Sequence, residues 1–354
     1  MNNFFKEENE LFNFRIGEID IVKTLKEAAE KYLPHDELSE HVIPITFVPQ
    51  ALFKIHPVTR CATSMEGHKE AVLTVRFSPC GNHLVTGSGD TTIRVWDIHT
   101  CTPKTTLTGH ANWVLSIEWA PNSKRFASGD FVGGFRVWEI DTLQCLFTNA
   151  KAHSKFITSI AWEPLHRNPH CNRVASAGKD GLVKIWDPVT KRLLFSLSGH
   201  TMSVTCIRWG GEGLIYTASQ DRTIKVFSDV DGKLVRTLNG HAHWINTIAL
   251  NTDYPLRTGA FNFDSPAPSD PEEAKQKALQ RYNSVKGNGP EKLISGSDDC
   301  TCILWEPSVN KNPVVRMTGH QQPVNLISFS PDGSLATSAS FDKSLKLWNG
   351  RTGK

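Results

Sequence analysis

A chain of 354 residues, 39% hydrophobic and 21% charged, has the length and composition for one large globular domain with a small appendage. Its formal net charge of +3 is close to balance, so the molecule as a whole presents no field that would drive non-specific nucleic-acid binding. No apolar run approaches the roughly 18 to 20 residues that span a bilayer, and the start MNNFFKEENELF is acidic, unlike a secretory signal. The eight cysteines stand singly except in Cys300-Thr301-Cys302, where the two thiols are expected on one side of a strand. There is no CxxC spacing and no Asn-x-Ser/Thr site, which points to packing cysteines in a reducing compartment.

In chain order, residues 1–50 stand apart from the remainder of the sequence. Phe12 to Ile16 reads as a strand, Asp20 to Leu33 as an amphipathic helix with Ile21, Leu25, Ala28 and Ala29 on one face, and Val42 to Val48 as a second strand. Pro34 stops the helical pattern. Two strands and a helix make part of a small α+β domain, shorter than such domains usually need to be stable alone. Residues 51–66, which begin ALFKIHPVTRCATS, form a linker or closing strand with strand character of their own.

From Gly67 onward the chain repeats. GHKEAVLTVRFSPCGNHLVTGSGDTTIRVWD opens on Gly-His, closes on Trp-Asp and holds three short β-branched runs separated by turn residues. The opening histidine returns at His110, His153, His200, His241 and His320, and the closing aromatic at Trp96, Trp138, Trp186, Phe227, Trp305 and Trp348. Most starts lie about 41 to 47 residues apart, the spacing of a four-stranded blade. One small sheet cannot bury both faces, so such units stack around an axis. The fold class is therefore all-β, a WD40 β-propeller with six recognisable repeats over 67–354.

Aligned on the closing aromatic, the repeats share more. Six positions before it stands an acid, at Asp90, Asp180, Asp221, Asp299 and Asp342, and four positions earlier a hydroxyl, at Thr86, Ser128, Ser176, Thr217, Ser295 and Ser338. With the histidine and the indole these resemble the buried hydrogen-bonded tetrad of WD40 blades, complete in four units: His68, Thr86, Asp90, Trp96; His153, Ser176, Asp180, Trp186; His241, Ser295, Asp299, Trp305; and His320, Ser338, Asp342, Trp348. The second unit has Val132 in the acidic slot with Asp130 two places early, and the fourth has Phe227 for Trp, so those two blades are expected to be looser. The same residue types make catalytic triads, but a nucleophile does not recur once per blade whereas a fold-fixing network does.

The fifth unit carries an insertion over 251–290. Asp253 to Pro268 reads as loop, whereas Asp270-Pro271-Glu272-Glu273 caps a helix whose stripe is Ala274, Ala278, Leu279 and Tyr282, closed by Gly287 to Pro290. It reads equally as a solvated decoration or as a contact-bearing loop. The chain ends after the third strand of unit six, so either Arg60 to Ser64 supplies a fourth strand or that sheet has an open edge.

In a propeller, the residue before each first strand and the residue before each turn acid line the narrower face. The first set is Ala71, Trp113, Phe156, Ser203, Trp244 and Pro323, and the second includes Lys179, Gln220, Asp298 and Phe341. Trp113, Phe156 and Trp244 with Lys179, Gln220 and Phe341 form a candidate partner-binding rim, since exposed aromatics anchor interfaces. The other reading is that these rings cap grooves between blades.

Several stretches then resemble one family, the Notchless-type WD40 proteins: FVPQALFKIHPVTRC, SGDTTIRVWD, AWEPLHRNPHC, SQDRTIKVF, NTDYPLRTGAF and RMTGHQQPVN. The resemblance runs from about Phe12 to Lys354 and includes the insertion. It implies an N-terminal ubiquitin-like domain, of which residues 1–50 are part, followed by eight blades. It implies residence in the nucleus and nucleolus, docking on the pre-ribosomal large subunit (protein and ribosomal RNA), and a role in Notch signalling. It also implies that a carboxylate of the N-terminal domain reaches the metal of the AAA+ ATPase midasin, which pulls the factor off. Glu18 matches that carboxylate best, with Asp20 second; a solvated turn carboxylate is the other reading of either. Against the family pattern, the chain begins inside the ubiquitin-like domain and ends two repeats short of eight, which bears on midasin binding and on ring closure. The expected function is a non-catalytic large-subunit assembly factor with no cofactor, no metal of its own, no membrane and no small-molecule substrate. The alternative is a generic WD40 adaptor in signalling or ubiquitin ligation, and no phosphate loop or paired carboxylates favour an enzyme.

Overall fold

The computed structural model describes residues 12–16, 19–20, 45–49, 61, 63–262, 268 and 270–354. The chain divides into two compact units, Met1–Ser64 and Met65–Lys354. In the first, β1 (Phe12–Ile16) pairs antiparallel with β2 (Ile19–Asp20) and with β3 (Ile45–Pro49), giving the order β2-β1-β3. Phe14 stands opposite Phe47, and Arg15 opposite Asp20. Asp20 thus lies in a strand, it and Ile19 paired with Arg15 and Ile16 of β1, where the sequence pattern starts a helix. Glu18 and the rest of the expected helix lie outside the described residues.

The second unit is six antiparallel meanders, strands in sequence order in each. Blade one runs Val72–Phe77, His83–Ser88, Ile93–Asp97 and Thr102–Leu107. The other innermost strands are Val114–Trp119, Ile157–Trp162, Val204–Trp209, Ile245–Leu250 and Val324–Phe329. Five blades have four strands. Blade six has three, ending at Leu345–Asn349, and Cys61, Thr63 and Ser64 are exposed and outside any strand, so among the described residues no fourth strand is supplied. On its last strand Leu345 and Leu347 are exposed, and Arg60 and Ala62 of the expected closing segment lie outside the described residues.

Each innermost strand carries a register shift after its first residue, which twists it toward the next blade. Small residues on the second strands let that neighbour approach: a Cβ at Gly129 would lie 2.6 Å from Ile157. Hydrogen bonds then tie successive blades. Trp119 Nε1 donates to Arg76 O (3.2 Å), Trp162 Nε1 to Glu118 O (2.9 Å), Thr158 Oγ1 to Val204 O (2.7 Å), Thr205 Oγ1 to Ile245 O (2.6 Å) and Asn246 Nδ2 to Val324 O (2.9 Å). Trp119, Phe126, Phe135 and Trp305 are fully buried in the resulting cores, each contributing about 1.5–3 kcal/mol relative to exposure. Blade one's innermost strand lacks such cover and leaves Val72, Val75 and Phe77 exposed.

The insertion differs from the sequence expectation in its first half. Asp253 to Thr258 is a helix, α1, not loop, because Pro255 and Leu256 bury against the blades. The second half is helix α2, Pro271–Lys286, with Asp270 accepting from Glu273 N at its start and Gly287 at φ 68° after its end. Ala278 and Tyr282 of the expected stripe are buried, Ala274 packs beside them and Leu279 is exposed. Tyr282 stacks on His166 with ring centroids 4.6 Å apart and crowds Gly211, where a Cβ would meet its ring at 2.3 Å. The fully enclosed Glu291 accepts from Gly211 N (2.9 Å), Thr252 Oγ1 (2.9 Å) and Tyr216 OH (3.3 Å), fastening both ends of the insertion to blade four. Burial pushes its carboxyl above the ordinary range. The insertion is therefore a packed brace. All eight cysteines are free, and Cys300 lies in a positive-φ turn ahead of the strand Cys302–Trp305.

Candidate partner-docking face

Under the rim, six histidines organise six polar networks. In blade one His68 Nδ1 faces Asp90 at 2.9 Å, His68 Nε2 faces Thr86 Oγ1 at 2.8 Å, and Trp96 Nε1 donates to the same hydroxyl at 2.9 Å. The consistent proton order is indole N–H to hydroxyl, hydroxyl to Nε2, and Nδ1–H to carboxylate. Blades three, five and six repeat it: His153 with Asp180 (3.0 Å), Ser176 (2.8 Å) and Trp186; His241 with Asp299 (2.8 Å), Ser295 (2.7 Å) and Trp305; His320 with Asp342 (2.8 Å), Ser338 (2.8 Å) and Trp348. The six histidine side chains are 0 to 5% exposed, leaving no room for a substrate. Burial alone would raise the carboxyls of Asp90, Asp221 and Asp299. Hydrogen bonds from the histidine, a threonine two residues on and backbone N–H outweigh it and hold all three well below the usual range. Burial lowers the His153 imidazole, keeping it neutral.

Blade two corrects the sequence alignment. His110 Nδ1 meets Asp130 at 2.8 Å and Nε2 meets Ser128 at 2.7 Å, while Trp138 donates to Ser128 at 2.9 Å, so this network is complete. Asp130 reaches the same point from two residues earlier because Gly134 stands where blade one has Thr92: a Cβ at Gly134 would lie 2.5 Å from the Asp130 carboxylate. Its carboxylate also accepts from Val132 N and Gly134 N. No loss of packing accompanies the shift, since Asp130 is 2% exposed. Blade four does lack the indole donor. His200 still contacts Asp221 (2.7 Å) and Thr217 (2.8 Å), but Phe227 gives Thr217 nothing, and that hydroxyl also lies 3.2 Å from Lys225 O.

The rim follows from a backbone bond made in every blade. The residue before the first strand offers its C=O to the N–H of the residue at the second turn: Ala71 to Gly89, Trp113 to Phe131, Phe156 to Lys179, Ser203 to Gln220, Trp244 to Asp298 and Pro323 to Phe341. Both side chains of each pair are thereby fixed at the same end of the blade. In blades two and three they merge: Trp113 and Phe131 have centroids 5.7 Å apart, Phe131 stacks on Phe156 at 5.3 Å, and Lys179 Nζ sits 4.8 Å over Phe156. Trp113 is 49% and Phe131 43% exposed. Phe131 joins Trp113 to Phe156, and the linear alignment misses it because the acid of unit two stands out of its slot; Val132 in that slot is the signal that its predecessor belongs to the rim. Elsewhere the rim residues stay separate. Trp244 lies against His243 (5.3 Å) beside Asp298, Phe341 is 60% exposed next to Pro323, and Gln220 is half-buried. Among the described residues no group of three or more metal-ligating side chains converges.

The model for the WD domain, G-beta repeat matches residues 59–97, 101–139, 143–187, 191–228 and 311–349. Together with the six meanders this defines a WD-repeat propeller protein; within the repeats the long unmatched stretch, 229–310, holds the blade split by the insertion. Protein Notchless of Drosophila melanogaster is 49% identical over 334 residues, 93% of this chain and 68% of that protein. Notchless protein homolog of Arabidopsis thaliana is 51% identical over 324 residues, 91% and 68%. Ribosome assembly protein 4 of Saccharomyces cerevisiae is 44% identical over 343 residues, 95% and 66%, so the chain spans about two thirds of the length of these relatives. The chain belongs to the Notchless family.

Proposed function

We propose that the chain is a non-catalytic assembly factor for the large ribosomal subunit that docks on precursor particles through its propeller rim. The observation that carries this is the half-exposed stack Trp113–Phe131–Phe156 under Lys179, a preformed apolar anchor on a rigid scaffold, in a chain whose relatives include a ribosome assembly protein. Such rings are costly to leave in water and retain little conformational freedom, so a partner gains their burial at small entropic cost. The tetrads beneath hold the rim still. Residence follows the particle, in the nucleolus and nucleus.

The N-terminal unit is the handle for removal in this reading, presenting Glu18 or Asp20 to the metal of a midasin-type AAA+ ATPase, and ATP-driven pulling then releases the factor. Sucrose-gradient profiling of the tagged chain tests the core of the proposal. The chain should migrate with large-subunit precursors, and Trp113→Ala with Trp244→Ala should return it to the light fractions with an unchanged melting temperature. Migration away from all ribosomal particles would instead support an adaptor in Notch signalling or ubiquitin ligation.

A further inference from the structure

A groove of about 670 Å³ runs along the outer side of the molecule where blade two meets blade three, with Trp186 of the blade-three network among its lining residues. Its walls are the outer strand Cys145–Asn149 of blade two and the strands Val183–Asp187 and Arg192–Leu197 of blade three. Four cations line it, Arg136, Lys151, Lys184 and Lys191, and no carboxylate does. Among the described residues none of the four pairs with an acid. The contrast is the cavity of about 280 Å³ at the innermost strands, where two of the three arginines meet an acid: Arg76 with Glu118 at 3.0 Å and Arg208 with Asp253 at 3.4 Å.

Two of the four cations are held by the fold. Arg136 Nη2 donates to Gly109 O at 2.5 Å and Lys184 Nζ to Ala152 O at 2.6 Å, and the same third-strand position carries Arg94, Lys225 and Lys346 in other blades. The other two are particular to this groove. Lys151 stands two residues before its blade's histidine, where the other units have Glu66, Thr108, Ser198, Asn239 and Thr318, and Lys191 sits in the turn opposite at φ 58°. Both are exposed, one on each side of the groove. Like charges gathered without counter-charges lose stability through repulsion, and a polyanion lying between them relieves it.

We propose that this groove holds the phosphodiester backbone of an RNA strand. The choice of RNA over an acidic protein segment rests on the proposed function, which puts the chain on an RNA-rich particle, and on the donors themselves. The three lysines bind phosphate as point charges, and the Arg136 guanidinium, with one nitrogen engaged by the Gly109 carbonyl, adds a fourth positive charge to the same groove. Leu193, 46% exposed on the same wall, offers apolar surface to a sugar or base.

The test is fluorescence anisotropy of the full chain with a fluorescein-labelled 12-nucleotide oligouridylate. Lys151→Ala with Lys191→Ala should weaken binding about tenfold at low salt and reduce the salt dependence, log affinity against log salt, by about 1.4, at roughly 0.7 for each phosphate no longer neutralised. Trp113→Ala with Trp244→Ala should leave RNA affinity unchanged. Equal affinity of the lysine variant and the unmodified chain would overturn the site, as would an equal loss in the rim variant. Competition by polyglutamate as effective as by unlabelled RNA would assign the groove to an acidic protein segment instead. Failure of the unmodified chain to bind RNA while it still migrates with precursors would refute this site and leave the proposed function intact.

Discussion

The interior and the rim of each blade lie a few residues apart and obey opposite rules. The interior repeats: histidine, hydroxyl and carboxylate recur in all six blades within 2.7 to 3.1 Å of each other. The rim, fixed by an equally regular backbone bond, varies from glycine and alanine in blade one to stacked aromatics in blades two and three and an aromatic–acidic pair in blade five. Repetition is what architecture requires, because every blade solves the same packing problem. Variation at a fixed position is what recognition requires, because only one partner surface is to be matched.

The largest effect should come from the interior. Ser176→Ala removes the hydroxyl shared by His153 and Trp186 and leaves two enclosed groups without a partner, a loss of about 3 kcal/mol by chemical denaturation. Thr217→Ala in blade four orphans His200 Nε2 alone, since Phe227 never used that hydroxyl, and should cost about half as much. Equal losses would mean that the indole adds nothing to the network. In blade two, Asp130→Ser should cost about 2 kcal/mol. Adding Val132→Asp and Gly134→Thr to it rebuilds the arrangement of blade one and should recover most of the loss; no recovery would mean that the two registers are not interchangeable.

Acid should weaken the interior in two stages. His153 is kept neutral by burial, so below about pH 6.5 the unfolded chain binds a proton that the folded chain refuses, and stability falls as pH drops through that range. The depressed carboxyls of Asp90, Asp221 and Asp299 contribute stability that is fully present above the ordinary aspartate value of about 3.9 and is lost below it as they are forced to protonate. Denaturant midpoints from pH 8 to 3 should show both declines, and a flat profile would contradict the proton order given for the tetrads. The smallest stability effect belongs to the rim: Trp113→Ala with Phe131→Ala should shift unfolding by no more than about 0.5 kcal/mol, as for other exposed positions.

Much of the fold is legible in the sequence because it is periodic. One blade read correctly at Gly67 to Asp97 places the strands of the others, and the hydroxyl of every unit and the acid of all but the second emerge by counting back from the closing aromatic. Counting does not show compensation in three dimensions. Asp130 looks misplaced in the linear pattern because the glycine four residues later, which opens the space for its carboxylate, lies outside that pattern. The same misalignment hides Phe131. Helix α1 reads as loop because a six-residue helix owes its stability to the blades it packs on, not to its own periodicity. The basic groove is invisible in the sequence because Lys151 and Lys191 belong to different turns and meet only when two blades stand side by side.

Hydrogen–deuterium exchange of the chain, free and bound to purified large-subunit precursors, tests the division between interior and rim most directly. Protection on binding should concentrate in the peptides that carry Trp113, Phe131, Phe156 and Lys179, with exchange around His153, Ser176 and Trp186 already slow and unchanged. Unaltered exchange at the aromatic rim of a chain that stays on the particle would contradict it.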